Sequence, residues 1–265
     1  MYRAIRGHSD LLKGREMYRG LSLSVVVPCY NEEEGIVRTL ADMPSIVDEV
    51  VVVDNNCTDR TAEVARSYGA RVVRETKQGY GAAHKRGFRA ATGDIIITMD
   101  GDGTYPRSFI PVLVDVLVDE GFDFITCDRT GHKTPGAGTG LRVFGNWALG
   151  VVQAILFGHW VSDSQSGMWV FRRSILPLLE LSSDGMALSE EIKIEAFSHP
   201  QIKAAEVPIY YRARVGQSKL HIWRDGWRNL CFLLWKRWVT LGFVRRRRGF
   251  HPVVSAQAPD REQPL

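Results

Sequence analysis

Cysteine is scarce in this chain of 265 residues: only Cys29, Cys57, Cys127 and Cys231 occur, and no two are spaced as CxxC. That scatter argues against a zinc ribbon or a disulfide framework and suits reduced thiols in a cytoplasmic protein. Long apolar runs are lacking as well. The nearest approach to a membrane span, residues 143–161, has no Lys, Arg, Asp or Glu, but Asn146, Gln153 and five Gly or Ala interrupt it. The first twenty residues mix charges and contain no apolar core, so no signal peptide is expected. Polar, proline-rich sequence is confined to residues 249–265, the one stretch expected to be disordered. A hydrophobic content of 45% with 24% charged residues is that of an ordinary globular protein, and the length suits one large α/β domain.

An excess of one charge is missing only on average. The formal net charge is +4, yet residues 212–248 hold eleven Lys and Arg against Asp225 alone, so residues 1–211 are net acidic. An acidic body with a basic end suggests that something anionic meets that end. Between Leu21 and Tyr210, β-branched runs alternate with amphipathic stretches, the signature of a parallel, doubly wound sheet. Strands are expected at Leu23–Val27, Glu49–Val53, Arg71–Val73, Asp94–Met99, Phe122–Thr126 and Lys203–Tyr210. Helices are expected at Glu33–Asp42, Asp59–Tyr68, Ala82–Ala91, Phe109–Asp119, Arg142–Phe157 and around Ser189–Phe197. Asp128–Gly140, with four Gly and one Pro, reads as a long functional loop.

Sheets of this kind bind ligands beyond the carboxyl ends of their strands. Asp100-Gly101-Asp102 directly follows the apolar run IIIT. Residues i and i+2 of an extended segment point to one side, so the two carboxylates can face one hard cation, Mg²⁺ or Mn²⁺. A plain turn after a strand is the simpler reading of the same residues. Asp54 ends the second strand, and Pro28-Cys29-Tyr30-Asn31-Glu32 the first, making three polar clusters on one expected edge. Asp54 could accept hydrogen bonds from a base or ribose, while capping by Asn56 or Thr58 and first-turn acids explain part of the surrounding sequence. Gly79-Tyr80-Gly81 precedes a helix and could offer backbone N–H groups to a phosphate, or be an ordinary turn.

PCYNE, VDNNCTDRT, KQGYGAAHKRGFRAATGD, MDGDGTYP, DSQSGMWVFRR and RARVGQSKL, in this order, resemble the inverting family 2 glycosyltransferases of GT-A fold. Within them the likeness is to polyprenyl-phosphate hexosyltransferases of the dolichol-phosphate mannose or glucose synthase type, over Leu21–Trp238. The resemblance implies a metal-dependent hexosyltransferase with a Rossmann-like, mostly parallel α/β sheet. Its donor would be a nucleotide-diphosphate sugar, GDP-mannose or UDP-glucose, and its acceptor a polyprenyl phosphate. It further implies that Pro28, Tyr30, Glu32, Asp54, Gly81 and Gly101 bind the nucleotide sugar, and that Asp100 and Asp102 bind it too and hold the metal on its diphosphate. Arg129 and Arg142 would grip the acceptor phosphate, with Arg129, Asp100 and Asp102 catalytic. Asp163, Ser166 and Gly167 would lie near the sugar, and Arg212, Arg214, Ser218 and Lys219 over the phosphates. Asn55 stands where many relatives have a second Asp, and Thr104 where some have Gln.

At the basic end, Trp223, Trp227, Leu230, Cys231, Leu234, Trp238 and Leu241 recur three or four residues apart, an apolar stripe interleaved with Arg224, Arg228, Lys236 and Arg237. Tryptophan with flanking cations, followed by Arg245–Arg248, suits peripheral attachment to an anionic membrane face, here the cytoplasmic one. A helix packed on the body is the alternative. The expected organisation is an N-terminal extension (1–20), a GT-A domain (21–220), an amphipathic membrane-associating segment (221–248) and a tail (249–265). A transferase with a soluble acceptor, a catalytically inactive sugar-nucleotide binder and a nucleic-acid-binding protein stay open; the last leaves the three carboxylate clusters without a role, so no nucleic acid is expected.

Overall fold

The computed structural model describes residues 17–133, 140–212 and 222–243. Seven strands form one sheet: β1 (Leu23–Cys29), β2 (Glu49–Asp54), β3 (Arg71–Arg74), β4 (Ile95–Thr98), β5 (Phe124–Lys133), β6 (Trp169–Arg172) and β7 (Ala204–Tyr211), in the order β3-β2-β1-β4-β6-β5-β7. The helices are α1 (Glu33–Leu40), α2 (Thr61–Ser67), α3 (Tyr80–Ala90), α4 (Ile110–Asp119), α5 (Gly140–Phe157), α6 (Leu188–Ser198) and α7 (Ile222–Phe243). The mostly parallel α/β sheet expected from the alternating pattern is the architecture found.

Strand side chains alternate between faces, so one continuous apolar run can feed two cores. Val25 and Val27 of β1 pack with Ile36 of α1, Ala65 of α2 and Leu113 of α4, whereas Val26 packs with Ala83 and Phe88 of α3 and Ile192 of α6. Ile95, Ile96 and Ile97 of β4 divide in the same way and are fully buried. Each such side chain contributes roughly 1.5–3 kcal/mol, which fixes the strand ends that follow.

β6 departs from the expected pattern. The segment DSQSGMWVFRR carries no strand in the sequence reading, yet its second half runs antiparallel to both β4 and β5. An antiparallel strand begins where its parallel neighbours finish. Residues 163–167, just before β6, therefore arrive at the carboxyl edge, where Thr98 Oγ1 donates to Gly167 O at 2.7 Å and accepts from Trp169 N at 2.8 Å. β5 also runs further than expected, through Lys133, because Asp128, His132 and Lys133 pair with β7 across a register shift.

α7 packs against α5. Its inward face is Asn229, Leu233 and Lys236, all buried, while Trp227, Leu234, Trp235 and Trp238 are exposed, Trp238 by 76%. Phe144, Trp147 and Ile155 of α5 are exposed too. Among the described residues, no helix is long and apolar enough to cross a membrane. Residues 1–16 of the expected extension (1–20), the tail (249–265) and the Arg245–Arg248 run lie outside the described residues, as do the side chains of Trp223 and Leu241.

Candidate active site

The ends of β1, β2 and β4 open on one cleft of about 680 Å³. Pro28, Tyr30, Glu32, Asn55, Asp100, Gly101 and Asp102 line it, together with the 183–187 segment and Arg224, Asp225, Arg228 and Asn229. Gly101 allows the tight approach of strand ends, since a Cβ there would meet Cys29 Sγ at 2.6 Å. Asp102 is nearly buried and oriented by Thr104, whose backbone N and Oγ1 donate to its Oδ1 at 3.1 and 2.6 Å. Gly167 backs onto Asp100: a Cβ there would run into the Tyr80 hydroxyl and stand 3.1 Å from Asp100 Oδ1.

Asn55 explains why an amide, not a carboxylate, stands at this position. Its Nδ2 donates to Glu75 O at 3.0 Å and Lys77 O at 2.8 Å, while its Oδ1 accepts from Gly79 N at 2.8 Å. Only a group with both donors and an acceptor can staple that turn. Asp54 Oδ1 accepts from Cys57 N at 2.8 Å; the N-cap of α2 is Arg60, with no side-chain cap bond, so neither Asn56 nor Thr58 caps it, and Asp59 just ahead of the helix accepts from Thr61 N at 3.0 Å. The N–H groups of Gly81 and Ala82 donate to Asp184 O at 2.9 and 3.1 Å, so the start of α3 binds the 183–187 segment instead of facing open solvent.

Deeper lies a buried polar network. Arg129 Nε and Nη2 donate to Asp163 Oδ2 and Oδ1 at 2.6 and 2.8 Å, and Asn146 Nδ2 adds a bond to Oδ1 at 2.9 Å. Burial alone would raise the Asp163 carboxyl, but Arg129 and Lys193 outweigh it and hold the group well below the usual range. Lys193 is fully buried and donates to the carbonyls of Asp163, Ser164 and Ser166 at 2.8, 2.8 and 3.0 Å. Burial pulls its ammonium down to about 8 despite the nearby acids. Sequence reasoning missed Lys193. Its signal is a charged SEEIK run inside an otherwise apolar helix.

Residues 24–178 match the family model described as glycosyl transferase family 2. The chain belongs to that family. A dolichyl-phosphate hexose transferase of Haloferax volcanii is 39% identical over 212 residues, 77% of this chain and 89% of the relative. A dolichol-phosphate mannosyltransferase of Pyrococcus furiosus is 30% identical over 219 residues, 76% of this chain and 59% of that longer protein. Among solved structures, glucosyl-3-phosphoglycerate synthase of Mycobacterium tuberculosis with Mn²⁺, UDP and phosphoglyceric acid superposes with a TM-score of 0.67 at 26% identity, over 83% of this chain and 79% of that one. The glycosyltransferase shares its GT-A fold.

In this glycosyltransferase, Pro28, Tyr30, Glu32, Asp100, Gly101 and Asp102 come together in the cleft; Asp54, Arg129 and Asp163 are not among its lining residues. Arg212 follows β7, its N donating to Thr104 O at 3.0 Å. Arg142 lies in the first turn of α5 with its side chain outside the described residues, and Arg214, Ser218 and Lys219 lie wholly outside them. Among the described residues no cluster of three or more His, Cys, Asp or Glu could cage a metal. Asp100 and Asp102 still fit Mg²⁺ or Mn²⁺, because two carboxylates leave most of an octahedral shell to nucleotide phosphate and water.

Proposed function

We propose that this glycosyltransferase moves a hexose from a nucleotide-diphosphate sugar, GDP-mannose or UDP-glucose, to a polyprenyl phosphate of the dolichyl type, working as a peripheral protein on the cytoplasmic face of a membrane. One observation carries the lipid reading: an exposed aromatic face on α7 and α5, Trp227, Trp235 and Trp238 with Phe144 and Trp147, borders the same body that holds the DxD cleft. Monomeric soluble proteins rarely expose such faces, and tryptophan with flanking cations suits a lipid interface. Two relatives named for dolichyl phosphate support the acceptor class.

In this reading Pro28, Tyr30, Glu32 and Asp54 receive the base and ribose. Asp100 and Asp102 hold the divalent ion, which would offset the charge developing on the leaving diphosphate. Arg129 and Arg142 orient the acceptor phosphate, and Arg212, Arg214, Ser218 and Lys219 cover the phosphates. A phosphate oxygen is ionised at neutral pH and needs positioning more than a base. Its electron pair forms the new bond to C1 as the C1–O bond to the diphosphate breaks, and direct displacement inverts C1. An α-linked donor therefore gives a β-linked product.

Transfer assays with both donors, Mg²⁺ or Mn²⁺ and a short polyprenyl phosphate should yield that product, its anomer read by NMR, with flotation on anionic liposomes. A second reading, a soluble acceptor, is favoured by the likeness to glucosyl-3-phosphoglycerate synthase. Glycosylation of phosphoglyceric acid by a protein that does not float would select it.

A further inference from the structure

The described cations that line the cleft come from α7, which lies beyond the residues matched by the family model. Arg228, Asn229 and Phe232 follow Asp225 by three, four and seven residues and turn one helix face to the cleft, while Trp227, Cys231, Leu234 and Trp238 form the exposed stripe. That face is anchored. Asn229 Nδ2 donates to Gln165 Oε1 at 3.0 Å, and two turns later Lys236 pairs with Glu191 at 3.0 Å and Glu195 at 2.7 Å. The two arginines differ in what they already bind: Arg224 pairs with Asp225 at 3.4 Å, whereas Arg228 makes no ion pair or hydrogen bond among the described residues. Arg129, by contrast, already pairs with Asp163 and does not line this cleft.

We propose that Arg228 is an anion-binding residue of the donor cleft, contacting the diphosphate of the nucleotide sugar in the space that Asp100 and Asp102 also line. The inference rests on the reading of this cleft as the nucleotide-sugar site. A guanidinium presents two parallel N–H groups to phosphate oxygens, and a cation there would offset charge on the leaving diphosphate. The helix that offers its aromatic stripe to a lipid surface would then also complete the donor site.

Titration calorimetry of the full chain with UDP and GDP, each with Mn²⁺, tests this. Arg228→Ala should weaken the preferred nucleoside diphosphate tenfold or more while leaving the affinity for the corresponding nucleoside and the thermal midpoint unchanged, and Arg228→Lys should recover part of the loss. Trp238→Ala, on the same helix but outside the cleft, should bind as the unsubstituted protein does. Undiminished diphosphate affinity in Arg228→Ala overturns the proposal, as does a raised KM for polyprenyl phosphate with nucleotide affinity intact, which assigns Arg228 to the acceptor. If the unsubstituted protein binds neither nucleotide, the reading of the cleft fails and this inference with it; binding by the unsubstituted protein that Arg228→Ala retains removes this inference alone.

Discussion

Asp163 holds Arg129 by both Nε and Nη2, and the carboxylate is almost wholly shielded, its side chain 1% exposed against 17% for the guanidinium. Removing one charge from such a pair strands the other. Asp163→Asn is therefore expected to cost about 3–5 kcal/mol in denaturant unfolding. The double variant with Arg129→Gln should cost less than the sum of the single changes, a coupling read from the cycle.

Gly167 and Asp100 are close enough that one methyl group should be felt. Gly167→Ala forces the Tyr80 hydroxyl and the Asp100 carboxylate to give way. Expected is a tenfold or greater loss in Mn²⁺-supported nucleotide binding, partly recovered when Tyr80→Phe removes the clashing oxygen. Equal loss in the double variant would point away from this contact.

His84 is buried among Tyr80, Phe88 and Trp169, and its Nδ1–H donates to Tyr80 O at 3.0 Å. Burial lowers its pKa to about 4, from an ordinary 6.5. Between those values the unfolded chain binds a proton that the folded one refuses, so stability falls as pH drops from 6.5 toward 4, by about 3 kcal/mol at the limit. His84→Phe should flatten that part of the urea-midpoint profile. His159, half-buried and likewise lowered to about 4, supplies a comparable slope that persists in the variant.

Lys236 ties α7 to the cleft through Glu191, whose carboxylate also accepts from Ser182 N at 3.0 Å and Ser183 N at 2.7 Å. Lys236→Met should destabilise the fold by about 3 kcal/mol and raise the donor KM, because the 183–187 segment loses its anchor. Lys236→Arg should keep most of both. Loss of kcat with KM unchanged would speak against this positioning role.

β1, β2 and β4 were legible because β-branched runs announce strands buried on both faces, and polar residues at their ends then stand out. β6 was not: four residues, WVFR, acquire strand geometry only from β4 and β5 on either side. The apolar stripe of α7 was readable from spacing, but its inward face was not, since Asn229 and Lys236 are buried only by virtue of partners far away in sequence, Gln165, Glu191 and Glu195. The same holds for Asp163, whose salt bridge spans 34 residues. Asn55 looked like a departure from a motif until the carbonyls of Glu75 and Lys77 gave its amide a purpose.

Among the described residues β4 and β5 do not pair, and β6 alone joins the half-sheet β3-β2-β1-β4 to the half-sheet β5-β7. The first half draws on nearly consecutive sequence, whereas the junction must wait for residues 169–172 to thread between strands already laid down. Long-range insertions of this kind are slow steps in folding. The cleft borders that seam, because Asp100, which lines it, stands against Gly167 just ahead of β6. A ligand seated there favours the closed sheet over its opened forms, so the amides of β6 are where hydrogen exchange should slow most when nucleotide binds.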